Sequence, residues 1–478
     1  MPYRIEAIDL FVREMPPDRM VFAIGAVPVK RRTRGLLMVR LRIADERGRK
    51  SWGASGDRPS FGWLDKRNQH SPEAKLQRLL ELVKAARNVY LNAGEFSSPF
   101  AHWRECYQKV QELGKAKNHE ALTSSYASAL FERAMIDAVC RLHETPILKA
   151  LKTGLLGFDA GAIFPELRGV ELAKLLPNRP LSRFFIRHTV GLEDPLTNAD
   201  LSRIERIDDG EPETLAEYIQ RDGLKFFKVK IAGDRERDLE RLAKIWPVLL
   251  QAEEPVVTLD GNESYQDIAE FSRFVEELAE KQLGLFQHIA FVEQPLSRDV
   301  TLDPANRESI QELAKKKDLV IDEADGELGS FREAFSLGYA GVSHKNCKGV
   351  FKSLLNFCRC HHVVETTGRA AFQTGEDLSN MPVVPLQQDF AALGVLGIPH
   401  CERNGHHYSY GQKHLSPAEK QLALKHHGEL YTKRNGELFL NIQNGLVRCD
   451  SLAGTPFGTA FEPNWQAMTP LSEWTIQW

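Results

Sequence analysis

Five charged residues fall at a regular beat along the middle of the chain, and each ends a short apolar run. Lys230 follows Phe226-Phe227-Lys228-Val229, and Asp260 follows Pro255-Val256-Val257-Thr258-Leu259. Glu293 follows Ile289-Ala290-Phe291-Val292, Asp322 follows Leu319-Val320-Ile321, and Lys345 follows Ala340-Gly341-Val342-Ser343-His344. The beat is about 30 residues, one βα unit of a (β/α)₈ barrel of roughly 250 residues. The pattern predicts barrel strands whose C-terminal ends carry charge, on the face where such barrels keep their chemistry. Strand alternation puts Phe227, Val229 and Ile231 in one apolar row and Lys228 and Lys230 in the other. Two neighbouring ammonium groups resist burial alone, so anionic partners are expected beside them.

The rest of the chain sets the limits of this reading. Its 478 residues accommodate two domains and a large core. Lys and Arg number 62 against 65 Asp and Glu, a net charge of −3, which supplies no general attraction to nucleic acid or an anionic membrane. No stretch approaches 18 uncharged apolar residues, so no membrane span is expected. Met1-Pro2-Tyr3-Arg4-Ile5-Glu6 lacks the layout of a signal peptide. Seven cysteines are sparse and odd in number, which fits a reduced, cytoplasmic setting.

Residues 1–150 read as an α+β domain. Strands are predicted over 3–13, over 36–43 and near Ser51-Trp52-Gly53, with a turn at Asp45-Glu46-Arg47-Gly48. The segment 15–34 mixes Pro, Gly and basic residues and reads as a long lid or binding loop. Ser71-Pro72-Glu73 starts a helix by capping and proline placement. Further helices are expected over about 100–115 and 120–142. Residues 151–430 read as the barrel. Its first strand is Arg183 to His188, its seventh lies near Ala370-Ala371-Phe372-Gln373, and its last is Pro399-His400-Cys401-Glu402. Residues 431–478 form a C-terminal segment of strand and turn.

In order along the chain, these motifs resemble the enolase superfamily, in particular its muconate-lactonising/mandelate-racemase-like branch. Lys228-Val229-Lys230 looks like the branch's K-x-K on strand two. Asp260-Gly261-Asn262, Glu293-Gln294-Pro295 and Asp322-Glu323 look like its three metal-ligand motifs, and Lys345 like its strand-six lysine. Leu37 to Trp52, Ala134 to Asp137 and Asn444 to Gly458 are similar to parts of the branch's capping domain, lead-in helix and returning tail. The resemblance implies a modified (β/α)₈ TIM-type barrel with an N-terminal α+β capping domain completed by the C-terminal tail. It also implies a homo-oligomer. The chain is longer than is usual for the branch, and its strand-seven and strand-eight loops match no subgroup.

The chemistry implied is proton abstraction next to a carboxylate, whose product dianion is high in energy. A divalent ion held by Asp260, Glu293 and Asp322 would bind the substrate carboxylate and stabilise the enediolate. Three hard oxygen ligands suit Mg²⁺. Lys230 is the expected base, Lys228 stays charged, and Lys345 faces Lys230 across the substrate. That arrangement permits elimination such as acid-sugar dehydration, racemisation or epimerisation, or cycloisomerisation. Asn262 and Glu323 are expected behind the residues that touch metal and substrate, Glu323 to orient a lysine. Glu376, Asp377, His406 and His407 sit in loops at the mouth and are candidates for contacting a small polar carboxylate.

Alternatives stay open at this level. The same barrel could use its metal for hydrolysis, or the chain could be a non-catalytic member that binds metal and ligand. His344 rather than Lys345 faces inward if the strand-six register slips by one. Cys358-Arg359-Cys360-His361-His362 lacks the spacing of a zinc motif and reads as the end of a barrel helix.

Overall fold

The computed structural model describes residues 2–478 except 22, 25, 26, 29–32 and 202–205, and gives only the backbone of 23, 24, 27 and 28. Much of the loop predicted over 15–34 therefore lies outside the described residues. Strand β1 (Tyr3–Glu14) pairs antiparallel with β2 (Gly35–Asp45), which pairs antiparallel with β3 (Lys50–Asp57). The β2–β3 turn closes where Asp45 Oδ1 accepts the amides of Arg47 and Arg49 at 3.0 and 2.9 Å. Gly48 takes φ +76° there, a conformation that glycine alone adopts without a steric penalty.

Helices α1 (Pro72–Asn92), α2 (Pro99–Ala116) and α3 (Ala121–Leu142) pack on this sheet. Helix α1 starts as its sequence predicts, with Ser71 Oγ accepting the Ala74 amide at 3.2 Å and Pro72 opening the first turn. Helix α3 is buried along almost its whole length against β3. The approach is so close that a Cβ on Gly53 would stand 2.0 Å from the Ala134 carbonyl oxygen. The contact is further tied by the Ala54 amide on Asp137 at 3.0 Å and by a fully buried ion pair between Arg133 and Asp57.

Eight parallel strands form a closed barrel. They are β4 (Arg183–Val190), β5 (Phe226–Lys230), β6 (Val256–Asp260), β7 (Ile289–Glu293), β8 (Asp318–Ile321), β9 (Gly341–His344), β10 (Phe372–Gly375) and β11 (His400–Arg403). Closure comes from β11 pairing with β4, with Arg403 opposite His188. Helices α4 (Leu215–Asp222), α5 (Arg235–Leu249), α6 (Ile268–Lys281), α7 (Arg307–Ala314), α8 (Ser330–Leu337), α9 (Val350–Thr367) and α10 (Val384–Leu396) alternate with the strands. Strand β12 (Leu446–Arg448) runs antiparallel outside β4, and β13 (Thr469–Pro470) pairs with β1, so the tail returns to the first sheet. This is the capped barrel that the sequence predicts. Among the described residues no helix is long and apolar enough to cross a membrane.

Two details differ from the predicted elements. Strand β10 starts at Phe372, so Glu376 is the first residue beyond it. Helix α9 runs on to Thr367, which places Cys358 and Cys360 in mid-helix, both buried and unpaired. The helix extends because Val363 continues its buried face beyond the predicted end.

Helix α3 also reaches the barrel. Glu132 Oε1 accepts the Phe351 amide at 2.6 Å in the first turn of α9. Burial pushes the Glu132 carboxyl up to about 8, against the pull of that amide and of Arg133. A carboxyl raised in this way binds its proton more tightly folded than unfolded. Its contribution to stability is fully present below the unfolded value, about 4.3, and is lost as the pH rises through about 8. Glu132→Gln should flatten the fall in stability between pH 5 and pH 9 by at most about 1.4 kcal/mol per pH unit. Urea denaturation at a series of pH values measures this, and an unchanged slope in the variant would sink the assignment.

Candidate active site

Alternation along the barrel strands sends Arg187, Lys228, Lys230, Asp260, Glu293 and Glu402 into the interior. Lys228 occupies the middle of the group. Its Nζ lies 2.9 Å from Asp260, 2.7 Å from Glu293 Oε2, 2.6 Å from Glu376 and 3.0 Å from Glu402. Lys230 Nζ pairs with Asp260 Oδ2 at 2.6 Å. Asp322 stands on the neighbouring side, held by Lys345 Nζ at 2.6 Å, Ser343 Oγ at 2.5 Å and Lys348 Nζ at 3.2 Å. Arg187 donates to Glu376 and to the Gly375 carbonyl. All of these side chains are buried, and Asp260, Glu293 and Asp322 are 0 % exposed.

Charges so deep survive only in one another's company. Burial opposes the charge of Lys228, but the four carboxylates, Asp260 foremost, outweigh it and hold the ammonium well above the ordinary lysine value. Burial likewise opposes the Asp322 charge, and Lys345 and Lys348 overcome it to hold the carboxyl well below its usual range. Glu293 goes the other way. Burial, then Asp260 and Glu376, push it well up despite Lys228. Glu293 is thus the member of the set with too little positive charge nearby.

The structure places the remaining predicted residues unevenly. Asn262 Nδ2 donates to Glu323 Oε1 at 3.1 Å, and its amide donates to Asp260 Oδ1 at 2.8 Å. Glu323 pairs with Lys66 at 2.9 Å, a residue of the first domain, rather than with a barrel lysine. Lys345 Nζ sits 4.3 Å over the Trp63 ring, a second contact from that domain. His344 faces the other way, toward Ser353 at 2.8 Å and Asp389 at 3.6 Å, so Lys345 is the residue beside Asp322. Glu376 joins the carboxylates around Lys228. Asp377 instead organises its own loop, accepting the amides of Asn380 and Asn404 at 2.8 and 3.0 Å. His406 and His407 pack against His188, whose position on β4 directs it to the outside of the barrel.

Sequence reasoning leaves three contributors unassigned. Glu402 closes the fourth side of the Lys228 cage and accepts from Thr189 Oγ1 at 2.8 Å. Its signal was the same as the others, an acid at the end of a barrel strand. Gln294 Oε1 accepts the amides of Asp322 and Ala324 at 2.8 and 3.0 Å and so seats one carboxylate from the strand of another. Lys66 is remote in sequence and carried no local signal. Asn262, Glu263 and Gln294 have φ of +43°, +66° and +35°, left-handed backbone at non-glycine residues just past two strand ends. Such strain collects where a site needs a particular backbone geometry.

The carboxylates fit a hard divalent cation by donor type and placement. Asp260 and Glu293 are paired in register on adjacent strands, and Asp322 is the first residue past the end of the next strand, β8. Among the described residues, Glu293 Oε2 accepts no hydrogen bond and has only the ion pair with Lys228. In these positions Asp260 and Glu293 share Lys228 and Asp322 is engaged by Lys345, so a bound ion would take over contacts that the lysines now make.

Removing Lys228 leaves four buried carboxylates facing one another. Lys228→Ala should destabilise the protein by about 3–5 kcal/mol. Mg²⁺ at a hundred times its dissociation constant should return about 2.7 kcal/mol of this. Thermal melts with and without Mg²⁺ test both, and a variant as stable as wild type would show that the cage is not held by that ammonium.

No protein-family model matches this sequence, and no curated protein matches it. Solved structures do. A mandelate racemase/muconate lactonizing enzyme from Bordetella bronchiseptica matches with a TM-score of 0.59 and 15 % identity, over 98 % of this chain and 99 % of that one. An enolase from Bradyrhizobium, complexed with magnesium and mandelic acid, matches with a TM-score of 0.58 and 14 % identity, over 98 % of each chain. A dipeptide epimerase from Enterococcus faecalis, complexed with Mg and L-Leu-L-Tyr, matches with a TM-score of 0.54 and 13 % identity, over 94 % of this chain and 100 % of that one. The chain therefore has the fold of the mandelate racemase/muconate lactonizing branch of the enolase superfamily.

Proposed function

We propose that this barrel removes a proton α to a carboxylate from a small polar acid, with Mg²⁺ held by Asp260, Glu293 and Asp322. The observation that carries the reading is the placement of two lysines against two different acids of that set. Lys230 reaches Asp260 from β5, and Lys345 reaches Asp322 from the end of β9, each at 2.6 Å. The two Nζ atoms thus approach the carboxylates from opposite sides of the barrel mouth. The ion would supply positive charge beside the substrate carboxylate and offset the charge left when the α proton departs.

The residues divide the remaining work. Lys230 Nζ takes the α proton. Lys345 Nζ, steadied by the Trp63 ring, delivers or accepts a proton on the other face, or stabilises charge there. Lys228, held charged by its four carboxylates, stays an ammonium and offsets negative charge at the base of the site. Glu376 and Glu402 keep it in place. Lys66 and Trp63 close the mouth from the first domain. Elimination, racemisation or epimerisation, and cycloisomerisation are all open to this arrangement. Two solved neighbours hold Mg and a small carboxylate, mandelic acid in one and a dipeptide in the other, which supports the substrate class.

Deuterium incorporation in D₂O, read by mass spectrometry over a panel of hydroxy acids, acid sugars and dipeptides, tests the reading. Exchange should require Mg²⁺, should vanish in Lys230→Ala and should weaken in Glu293→Gln by about 10²-fold or more. Lys345→Ala should keep exchange at the Lys230 face and lose turnover. Exchange that persists in Lys230→Ala would overturn the assignment of the base, and its absence from every acid in the panel would overturn the reaction class.

A further inference from the structure

Outside the barrel interior, three histidines meet at the junction of its first and last strands. His188 lies on β4, and His406 and His407 lie in the short helix α11 (Gly405–Tyr408) just after β11. Each ring offers a nitrogen within 4.8 Å of those of the other two. His188 Nδ1 and His406 Nε2 are 3.2 Å apart. His188 and His407 are buried, and His406 is partly exposed, which leaves one side of the group open to solvent.

The polar inventory of this cluster does not close. Three imidazoles bring six ring nitrogens. Among the described residues, His407 Nδ1, His407 Nε2 and His406 Nδ1 are buried without a hydrogen bond of good geometry. A buried ring nitrogen left with no partner costs about 1–3 kcal/mol. One N–H of His407 turns to the Thr189 backbone and one of His406 to the Arg403 backbone in loose hydrogen bonds, the kind of carbonyl contact a metal-ligating imidazole commonly makes with its other nitrogen, which leaves the second nitrogen of His407 without a partner among the described residues. Burial, helped by Arg221, Arg19 and the rings' mutual repulsion, keeps His188 and His407 well below the ordinary histidine value. Neutral rings are the form that binds metal.

We infer that His188, His406 and His407 form a transition-metal site of the zinc class, separate from the carboxylate site, which pins the segment after the last barrel strand onto the first. Three nitrogen donors suit Zn²⁺ and not Mg²⁺. The 3.2 Å separation of the first two nitrogens is close to the edge of a zinc tetrahedron, about 3.3 Å for Zn–N bonds of about 2.0–2.1 Å. Water or a small anion would complete the coordination, admitted on the side where His406 is partly exposed.

The test uses the full-length chain, stripped with chelator and titrated with Co²⁺ in excess Mg²⁺, with ligand-field bands in the visible as the readout. One equivalent should give the intense bands of a tetrahedral nitrogen site, and Zn²⁺ should displace them. The bands should be lost in His406→Ala and kept in Glu293→Gln, with the metal-free fold of each checked by circular dichroism. His406→Gln replaces the first variant should that one not fold. Absence of a Co²⁺ signal, equal binding by wild type and His406→Ala, or loss in Glu293→Gln would each overturn the site. The last outcome would assign the metal to the barrel carboxylates instead.

Discussion

Everything at the mouth of this barrel depends on an ammonium group enclosed by carboxylates. Lys228 is 1 % exposed and touches Asp260, Glu293, Glu376 and Glu402. A lone charge at this depth would be neutralised or expelled. Enclosed as it is, Lys228 allows four acids to approach one another more closely than their repulsion otherwise permits, and Arg187 adds support behind Glu376. The same reasoning covers the second cluster, where Lys345 and Lys348 keep Asp322 ionised. The interior is therefore two interlocked ion groups, one centred on Lys228 and one on Asp322, joined through the paired ends of β6, β7 and β8.

The first domain is part of this balance. Lys66 reaches Glu323 at 2.9 Å and Glu263 at 3.0 Å, and Trp63 covers Lys345. Neither contact could form unless α3 seated that domain firmly on the barrel. The close packing at Gly53, the Glu132 link to α9 and a Gln388 bond to the Ala54 carbonyl at 2.7 Å provide that seat. Packing energy spent at the domain junction thus becomes positional precision at the mouth, because a lysine ammonium holds a carboxylate usefully only within a few ångströms.

The fold was legible because a parallel barrel repeats one simple rule, an apolar run, a charged end and a helix. Lys228, Asp260, Glu293 and Asp322 could be read from that rule, and their convergence follows from closure of the strands. Glu402 obeys the rule too, but its strand is short and polar at both ends, so its acid did not stand out. Gln294 and Lys66 were hidden for different reasons. Gln294 acts through a side-chain amide on a neighbouring strand's backbone, which no local pattern reports. Lys66 acts across 257 residues of sequence separation. His406 and His407 were visible as a polar pair in a mouth loop, but the direction they face is set by the outward position of His188, which only the register of β4 against β11 determines.

The register of β5 against β6, and of β6 against β7, is enforced by the buried charges. Lys228 lies opposite Thr258 and Lys230 opposite Asp260, while Asp260 lies opposite Glu293. A slip of one residue in β5 would turn Phe227 and Val229 into the acid-lined interior and press both ammonium groups into the apolar layer under α4 and α5. An apolar strand could slide with little loss, since one branched side chain packs much like the next. A strand carrying Lys-Val-Lys between acid-bearing neighbours cannot, because each misplaced charge would stand uncompensated at a cost of several kcal/mol. The residues proposed to move protons therefore also select the one strand alignment in which they can do so.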